Sequence, residues 1–275
     1  PLFIFMLNLG IRGAAIATVL SQCLSAGFVL YFLSKKAEYK VRLLYKEEIR
    51  TCGKDAKNIV SLGTAGFVMQ LTNSLVSICC NNVLSATGGD VYVSVMTIIS
   101  SVRQMIETPI WSISEGSSPV ISYNYGAKRP KKVIEAWITM SVLALIYSLI
   151  AWSVILFAPK FLIGIFSSDK SLMIDTVPAM KLYFSAFIFM LFQYTGQTMF
   201  KSLNKKKQAI FFSILRKVII VVPMTYMFPY VFHMGSNGVF MAEPVSNVIG
   251  GSLCFIVMLL TVFPELKQMN SDLSS

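Results

Sequence analysis

Two oppositely charged residues lie in the middle of an apolar stretch of this 275-residue chain. Arg103 and Glu107 are four residues apart, so on a helix their side chains share one face and can neutralise each other. An ionisable group inside a membrane span costs about 2.5–3.5 kcal/mol on insertion scales, so such groups often mark ion or substrate pathways. The alternative is an ion pair that only holds two helices in register. We predict an ion pair between Arg103 and Glu107 with one of these two roles.

A third ionisable residue, Glu243, precedes a proline in the last apolar stretch. Pro244 cannot donate a hydrogen bond to the carbonyl of Phe240, which leaves an acceptor exposed near a carboxylate. These are conditions for binding a cation, and Asn247 follows on the same helix face. The alternative is that Glu243 lies at the membrane interface, where water hydrates it. Glu243 and Asn247 are therefore candidates for an ion pathway.

Neutral amides form a second group of candidates. Gln70 and Asn73 belong to a polar stripe on one helix face, and Gln193 and Gln197 are four residues apart on another helix. Such side chains can line a polyspecific cavity, or they can join helices by hydrogen bonds worth about 0.6 kcal/mol each. For any single residue we favour helix joining, whereas the stripe as a whole favours a cavity.

The sequence contains no constellation of residues suited to covalent chemistry. His233 is the single histidine, and the five cysteines do not have metal-ligand spacing. A membrane enzyme would need a nucleophile, a general base or a metal cluster. We therefore expect no catalytic site, no metal and no cofactor, and we do not expect an enzyme.

The elements that must position these residues are membrane helices. Hydrophobic residues make up 55% of the chain, charged residues make up 13%, and the mean hydropathy is +0.66. Continuous apolar runs without alternation favour helices over barrel strands. Seven stretches are long enough to cross about 30 Å of hydrocarbon, at roughly 11–33, 58–86, 91–114, 134–157, 176–200, 209–231 and 238–263. The sequence predicts an all-α, polytopic membrane protein with seven transmembrane helices.

Lys and Arg are concentrated in every second connection between these spans, in the segments 34–57, 128–132 and 201–207. Because such residues stay on the cytoplasmic side, we expect a multi-pass protein of the cell membrane with a cytoplasmic C-terminus. The same bias explains the net charge of +11 by contact with membrane lipid, without a nucleic-acid partner. Arg216 and Lys217 lie within about two turns of a span end, so we expect them to reach the lipid headgroups.

The last apolar stretch repeats the first one. The pattern G-x-x-G-x-x-x-A-x-x-x-S-Q begins at Gly10, and it recurs 225 positions later from Gly235, with Asn in place of Gln. One repeat unit would then be about as long as the chain. We therefore expect residues 1–33 to hold the last helix of a preceding N-terminal lobe, 34–57 a cytoplasmic linker, and 58–275 a C-terminal six-helix lobe. The rest of the first lobe is expected upstream.

A resemblance to a known family rests on three separated segments. Residues 115–128 contain the pattern G-x-x-P-x-x-x-Y-N-Y-G-A-K, which resembles the cytoplasmic loop of multidrug and toxic compound extrusion (MATE) transporters. Residues 1–18 and 238–246 are similar to the starts of that family's sixth and twelfth helices. The first segment contains the candidates for a loop that acts as a gate or hinge, which are Pro119, Tyr123, Asn124, Tyr125 and Gly126.

The resemblance implies two six-helix lobes around a central cavity, with this chain covering helices six to twelve. It further implies export of organic cations, drugs or other amphiphilic small molecules by antiport against Na⁺ or H⁺. The spans 58–86 and 176–200, which match the family's seventh and tenth helices, lack the coupling acid often found there. Coupling would then rest on the missing lobe, on Glu243 or on Glu107.

Two alternatives to this interpretation remain open. A lipid-linked sugar or polysaccharide flippase shares the two-lobe architecture, but we would expect more cationic residues in its cavity than Arg103 alone. The chain could also be a fragment that transports nothing by itself.

Overall fold

The computed structural model describes residues 10–36, 53–167 and 169–272. The chain divides into two compact units, Pro1–Val60 and Ser61–Ser275. Residues 37–52 of the predicted linker and residues 1–9 of the first family-like segment lie outside the described residues. The division into 1–33, 34–57 and 58–275 therefore stays a prediction.

Helix α1 spans Gly10–Tyr31 in the first unit and continues as a π-helical turn over Phe32–Lys36. The segment Ala15–Lys36 has a mean hydropathy of 1.8, which is apolar enough to cross a membrane. The basic residues Lys35 and Lys36 end this segment.

Helix α2 spans Gly53–Gly126 and is interrupted at Gly89, whose φ of 71° and ψ of −170° are not helical. Glycine tolerates this conformation because it has no Cβ. Gly89 falls within the connection predicted between the second and third spans, at residues 87–90. The segment Gln70–Gly126 contains 57 residues, or roughly 85 Å of helix, which is long enough for two passes.

The family-like segment 115–128 is wrongly predicted as a loop. Helix α2 continues through Gly116 and Pro119 and ends at Gly126, and the chain turns at Lys128, which has a φ of 54°. A proline inside a membrane helix removes one backbone hydrogen bond, and neighbouring helices can compensate for that loss. Pro119, Tyr123, Asn124, Tyr125 and Gly126 therefore lie in the last turns of a helix.

The next helices continue the bundle. Helix α3 spans Pro130–Phe157, and the short helix α4 spans Pro159–Phe166. Helices α5 (Lys170–Tyr183) and α6 (Phe187–Ser202) meet at a bend of 51° and together are long enough for one span.

Two further helical segments complete the described chain, and each contains a π-helical turn. The first consists of α7 (Lys206–Ile214), a π-turn at Leu215–Val221 and α8 (Val222–Tyr230). The second consists of α9 (Ser236–Ser246), a π-turn at Asn247–Gly251 and α10 (Ser252–Asp272). The π-turns matter for the site because one residue of the first and one of the second contact each other there.

In the described residues, five helical segments are long and apolar enough to span a membrane, or six with the bent pair. With Gln70–Gly126 divided at Gly89, these segments correspond to the predicted spans. The all-α membrane fold is thus confirmed, with boundaries that differ because the structure has longer helices than the hydropathy runs.

Close helix crossings in the second unit depend on small residues. A Cβ added to Gly238 would lie 2.8 Å from the backbone of Phe228, and one added to Gly251 would lie 2.5 Å from the carbonyl oxygen of Phe189. Such close approach of backbones is the usual role of small residues in membrane helices. The crossings bring α9 and the following π-turn against α6 and α8, around the polar site.

Candidate functional site

Arg103 lies at the centre of a polar cluster inside the second unit. Its Nε pairs with Glu107 Oε1, so the structure contains the predicted ion pair. Arg103 Nη1 donates to the hydroxyl of Tyr183 at 2.6 Å, and Nη2 lies 3.0 Å from Glu243 Oε1. Tyr194 donates to Glu107 Oε2 at 3.1 Å. The local pair is thereby joined to α5, α6 and α9.

Glu243 contacts three cationic side chains at once. Besides Arg103, Lys217 Nζ lies 3.1 Å and Arg216 Nη1 3.5 Å from Glu243 Oε1. Glu243 is 4% exposed, so it does not lie at a hydrated interface. Its oxygens accept from protein cations, because charges removed from water must find partners within the protein.

Arg216 and Lys217 were expected at the headgroups, and this expectation is wrong. Each residue is 6% exposed, and both occupy the π-turn Leu215–Val221. π-Turns are frequent at functional sites. The signal in the sequence is the Arg-Lys pair within an apolar stretch, but its partner Glu243 is 26 residues away from Lys217. Hydropathy therefore could not identify the contact.

The two π-turns meet through Arg216. Its Nη1 donates to Asn247 Oδ1, and the absence of a Cβ at Gly250 leaves room for its aliphatic stem. A Cβ at Gly250 would lie 2.9 Å from Arg216 Cγ. Asn247, predicted as an ion-pathway residue, thus contacts a cation of the protein. We define the ionic cluster as Arg103, Glu107, Arg216, Lys217 and Glu243.

A cavity of about 430 Å³ opens beside the ionic cluster. Its lining combines the predicted Gln70 and Asn73 with Arg103, Glu107, Lys217 and Glu243, and its apolar wall includes Trp111 and Met96. A second cavity of about 90 Å³ is lined by Gln193 and Gln197 together with Arg103, Arg216 and Lys217. The structure therefore places all eight predicted pathway residues around one polar centre. Their roles in transport stay predictions.

Gln193 has a buried carbonyl oxygen, Oε1, without a hydrogen-bond donor among the described atoms. It lines the 90 Å³ cavity, which is large enough for ordered water. This unpaired acceptor and the cluster's cations lie around the same small space.

The predicted gate residues lie apart from the residues that line these cavities. Tyr125 donates to Glu265 Oε1 at 2.5 Å, and Lys205 pairs with Glu265 Oε2. Asn124 Nδ2 donates to the carbonyl of Val120 at 2.8 Å, which fastens the last turns of α2. These contacts join the ends of α2 and α10 to the turn before α7. They do not test movement of this region, and the gating role stays a prediction.

Within residues 10–36, 53–167 and 169–272, no three His, Cys, Asp or Glu side chains gather as a metal site. The chemistry of the described site is that of ion pairs and hydrogen bonds beside an aromatic wall.

Sequence comparison relates the chain to known transporters. The profile of the MatE family matches residues 66–227, more than half of the chain. Multidrug export protein MepA of Staphylococcus haemolyticus is 22% identical over 278 residues, and that of Staphylococcus aureus strain NCTC 8325 is 25% identical over 279 residues. Both alignments cover 100% of this chain and 58% of the relative. The chain thus spans less than two thirds of these relatives.

Solved structures share the fold. A MOP superfamily transporter from Pyrococcus furiosus has a TM-score of 0.84 at 22% identity, covering 98% of this chain and 59% of that chain. A crystal structure of MATE in complex with MaL6 has a TM-score of 0.82 at 21% identity, with 98% and 60% covered. With the fold, the cavity and the family match together, the chain belongs to the MatE family of multidrug and toxic compound extrusion transporters.

Proposed function

We propose that the protein containing this chain is a secondary active efflux transporter of the cell membrane. The observation that carries this proposal is the 430 Å³ cavity beside the ionic cluster, inside a bundle of apolar helices. Buried charges are costly in a membrane protein and are retained where they serve a pathway. Two of the similar proteins described above are multidrug export proteins. The protein would therefore be a transporter and not an enzyme.

The substrate in this proposal is a small amphiphilic molecule that binds between two lobes and leaves by alternating access. The amides Gln70 and Asn73 and the exposed ring of Trp111 suit a polyspecific cavity. An organic cation is what the family resemblance implies. Both carboxylates of the cavity already contact protein cations, so the described lobe does not itself favour a cation.

Exchange against Na⁺ or H⁺ belongs to the same proposal. Glu107 and Glu243 are the cluster's carboxylates, and either ion would have to replace contacts with Arg103 or Lys217. In proteoliposomes, we expect an imposed gradient of one of the two ions to drive uptake of substrate. Glu107→Gln should reduce this gradient-dependent uptake. Uptake that is unaffected by the change would assign coupling to another residue.

A lipid-linked sugar flippase is the second candidate, and a specific observation favours it. The ionic cluster contains Arg216 and Lys217 in addition to Arg103, which is the excess of cations expected for that class. Translocation of a fluorescent lipid-linked oligosaccharide in proteoliposomes, without export of a soluble dye, would favour the flippase.

The main test blocks the cavity in the complete protein as its gene encodes it. Ser77 lines the cavity, and Ser153 lies exposed on α3, outside the cavity-lining residues. Cells expressing the protein should accumulate less of at least one amphiphilic dye, from a set that contains the cation ethidium and the anion carboxyfluorescein, than cells without it. Ser77→Trp should abolish this difference and Ser153→Trp should preserve it. Efflux that survives Ser77→Trp would contradict a substrate route through this cavity.

The proposed orientation, with a cytoplasmic C-terminus, rests on the basic residues of alternate connections. Labelling of a cysteine introduced near Lys267 by a membrane-impermeant maleimide should require permeabilised cells. Labelling of intact cells would contradict the orientation.

A further inference from the structure

A surface groove of about 610 Å³ lies between the start of α3 and the end of α10. Helix α3 contributes Lys131 to its lining, and α10 contributes Leu260, Phe263 and Lys267. Phe263 packs edge-on against Trp137 of α3, with the ring centroids 5.3 Å apart, so the two helices that form the groove are in contact. The residues that line this groove differ from those that line the 430 Å³ cavity. The groove is therefore separate from the polar site.

One end of the groove is positively charged. Lys131 and Lys267 are both exposed, and none of the described lining residues is acidic. Neither lysine pairs with a carboxylate among the described side chains. The neighbouring Lys132, by contrast, pairs with Glu135 at 2.8 Å. An anion in the groove would therefore meet two ammonium groups without a competing carboxylate from the lining.

The start of α3 adds a further attraction for an anion at the same end. Pro130 and Lys131, the first two residues of α3, both line the groove. In the described turn before this helix, Arg129 makes no side-chain cap, and the first helical turn contains no acidic residue. The first amide groups of a helix lack partners within the helix, and the helix dipole places partial positive charge there. Helix N-termini bind phosphate groups for this reason.

The rest of the groove is apolar. Leu260 lies seven residues before Lys267 on α10, so the apolar lining extends roughly 10 Å along the helix from the charged end. The Leu260 side chain is 69% exposed. A free phosphate ion would gain nothing from this apolar surface, whereas an acyl chain would bury it. The charged end and the apolar surface together favour an amphiphilic anion over a small soluble one.

We propose that this groove binds a phospholipid with an anionic headgroup. Its phosphate contacts Lys131 and Lys267 through charge-assisted hydrogen bonds, and one acyl chain lies along Leu260 and Phe263. Helices α3 and α10 belong to segments that are long and apolar enough to cross a membrane, so their ends lie at the level of the lipid headgroups. The proposed orientation places this end at the cytoplasmic leaflet, whose surface is negatively charged.

The test sets two phospholipids in competition for the groove. The complete protein, purified in detergent, is mixed with equal amounts of phosphatidylglycerol and phosphatidylcholine that have identical acyl chains. Native mass spectrometry then counts the lipids that stay bound. Each lysine should raise the affinity for the anionic lipid about fivefold, so we expect phosphatidylglycerol to bind about 25-fold more tightly than phosphatidylcholine.

Two pairs of substitutions separate this groove from the general charge of the surface. Lys131→Gln combined with Lys267→Gln should remove the preference for phosphatidylglycerol. Lys128→Gln combined with Lys207→Gln is the matched control, because both lysines are exposed at the same end of the bundle and lie outside the groove lining. This control removes the same charge and should leave the preference unchanged.

A further pair of variants tests the apolar part of the groove. Leu260→Gln should reduce the retention of phosphatidylglycerol several-fold, because an amide would replace the apolar contact with the acyl chain. Ile256→Gln is the control, since Ile256 is also exposed, lies one turn away on α10 and is outside the groove lining. Both positions are on the surface, so neither change leaves a cavity in the core.

Equal retention of the two lipids by the unsubstituted protein would overturn the proposed site. An equal loss of preference in both lysine pairs would overturn it too, because general surface charge would then explain the binding. Displacement of the bound lipid by millimolar glycerol phosphate would reduce the groove to a phosphate site and remove the lipid. Ser77→Trp should not change lipid retention, so the lipid site and the proposed efflux can fail separately.

Discussion

Removal of the Glu243 charge tests the charge balance of the ionic cluster most directly. Glu243→Gln keeps the size of the side chain and leaves Glu107 as the one carboxylate beside Arg103, Arg216 and Lys217. The net charge of the cluster rises from +1 to +2. Loss of one partner of a buried ion pair costs about 3–5 kcal/mol because an uncompensated charge remains.

Lys217→Met changes the net charge of the ionic cluster in the opposite direction. Glu243 keeps contacts with Arg103 and Arg216, and the cluster becomes neutral. The cost of breaking a buried ion pair comes from the uncompensated charge that remains, and Lys217→Met leaves none because Glu243 keeps two cationic partners. We therefore expect Lys217→Met to cost far less than Glu243→Gln, and the double variant to be more stable than Glu243→Gln alone.

The assay is thermal unfolding of the detergent-purified complete protein, followed by intrinsic tryptophan fluorescence. For one cooperative unit of the size of Ser61–Ser275, a loss of 3–5 kcal/mol corresponds to a decrease in Tm of about 6–20 °C. Glu135→Gln is the matched control, because Glu135 pairs with Lys132 on the surface and its side chain is 62% exposed. Its Tm should stay within about 2 °C of the unsubstituted protein. A Glu243→Gln variant as stable as this control would refute the inferred compensation.

Three further outcomes are expected. Gly251→Ala should lower the free energy of unfolding by about 1–3 kcal/mol, because the added Cβ would meet the carbonyl of Phe189. Gly116→Ala is the control, since a Cβ there has nothing within 4 Å, and it should leave the Tm unchanged or raise it. Tyr125→Phe should lose about 1 kcal/mol with its hydrogen bond to Glu265, and Tyr123→Phe, an exposed position, should lose none. Ser171 donates to Asp169 and holds the pKa of that carboxyl below its ordinary value. The ionised Asp169 therefore stabilises the start of α5 at pH values above the ordinary pKa, and this stabilisation disappears as the pH falls through the lowered pKa. Hydrogen exchange in Lys170–Tyr183 should show that acid dependence, and Asp169→Asn should lack it.

Local sequence features predicted several parts of the structure correctly. Arg103 and Glu107 pair because they are four residues apart on one helix, which needs no information about other elements. Gly89 interrupts α2 near the predicted connection because a short polar segment separates two long apolar ones. Hydropathy works here because the bilayer requires about 20 apolar residues for each pass.

The wrong predictions share one physical cause. Pro119 belongs to the segment predicted as a loop, yet the helix continues to Gly126, because one lost backbone hydrogen bond does not decide where a packed helix ends. Arg216 and Lys217 were expected at the headgroups, yet Glu243 and Asn247 hold them inside. In each case contacts between distant segments compete with a local preference.

The sequence by itself determined a helical membrane protein and the residues that carry charge within its spans, because hydropathy and helical spacing are local properties. Only the tertiary structure decided which charges meet. Glu243 contacts Arg103 on α2 and both Arg216 and Lys217 on the π-turn, so the sign of the cluster depends on three helices that pack together. Electrostatic interactions in a low-dielectric interior depend on these distances, and no pattern within a single segment specifies them.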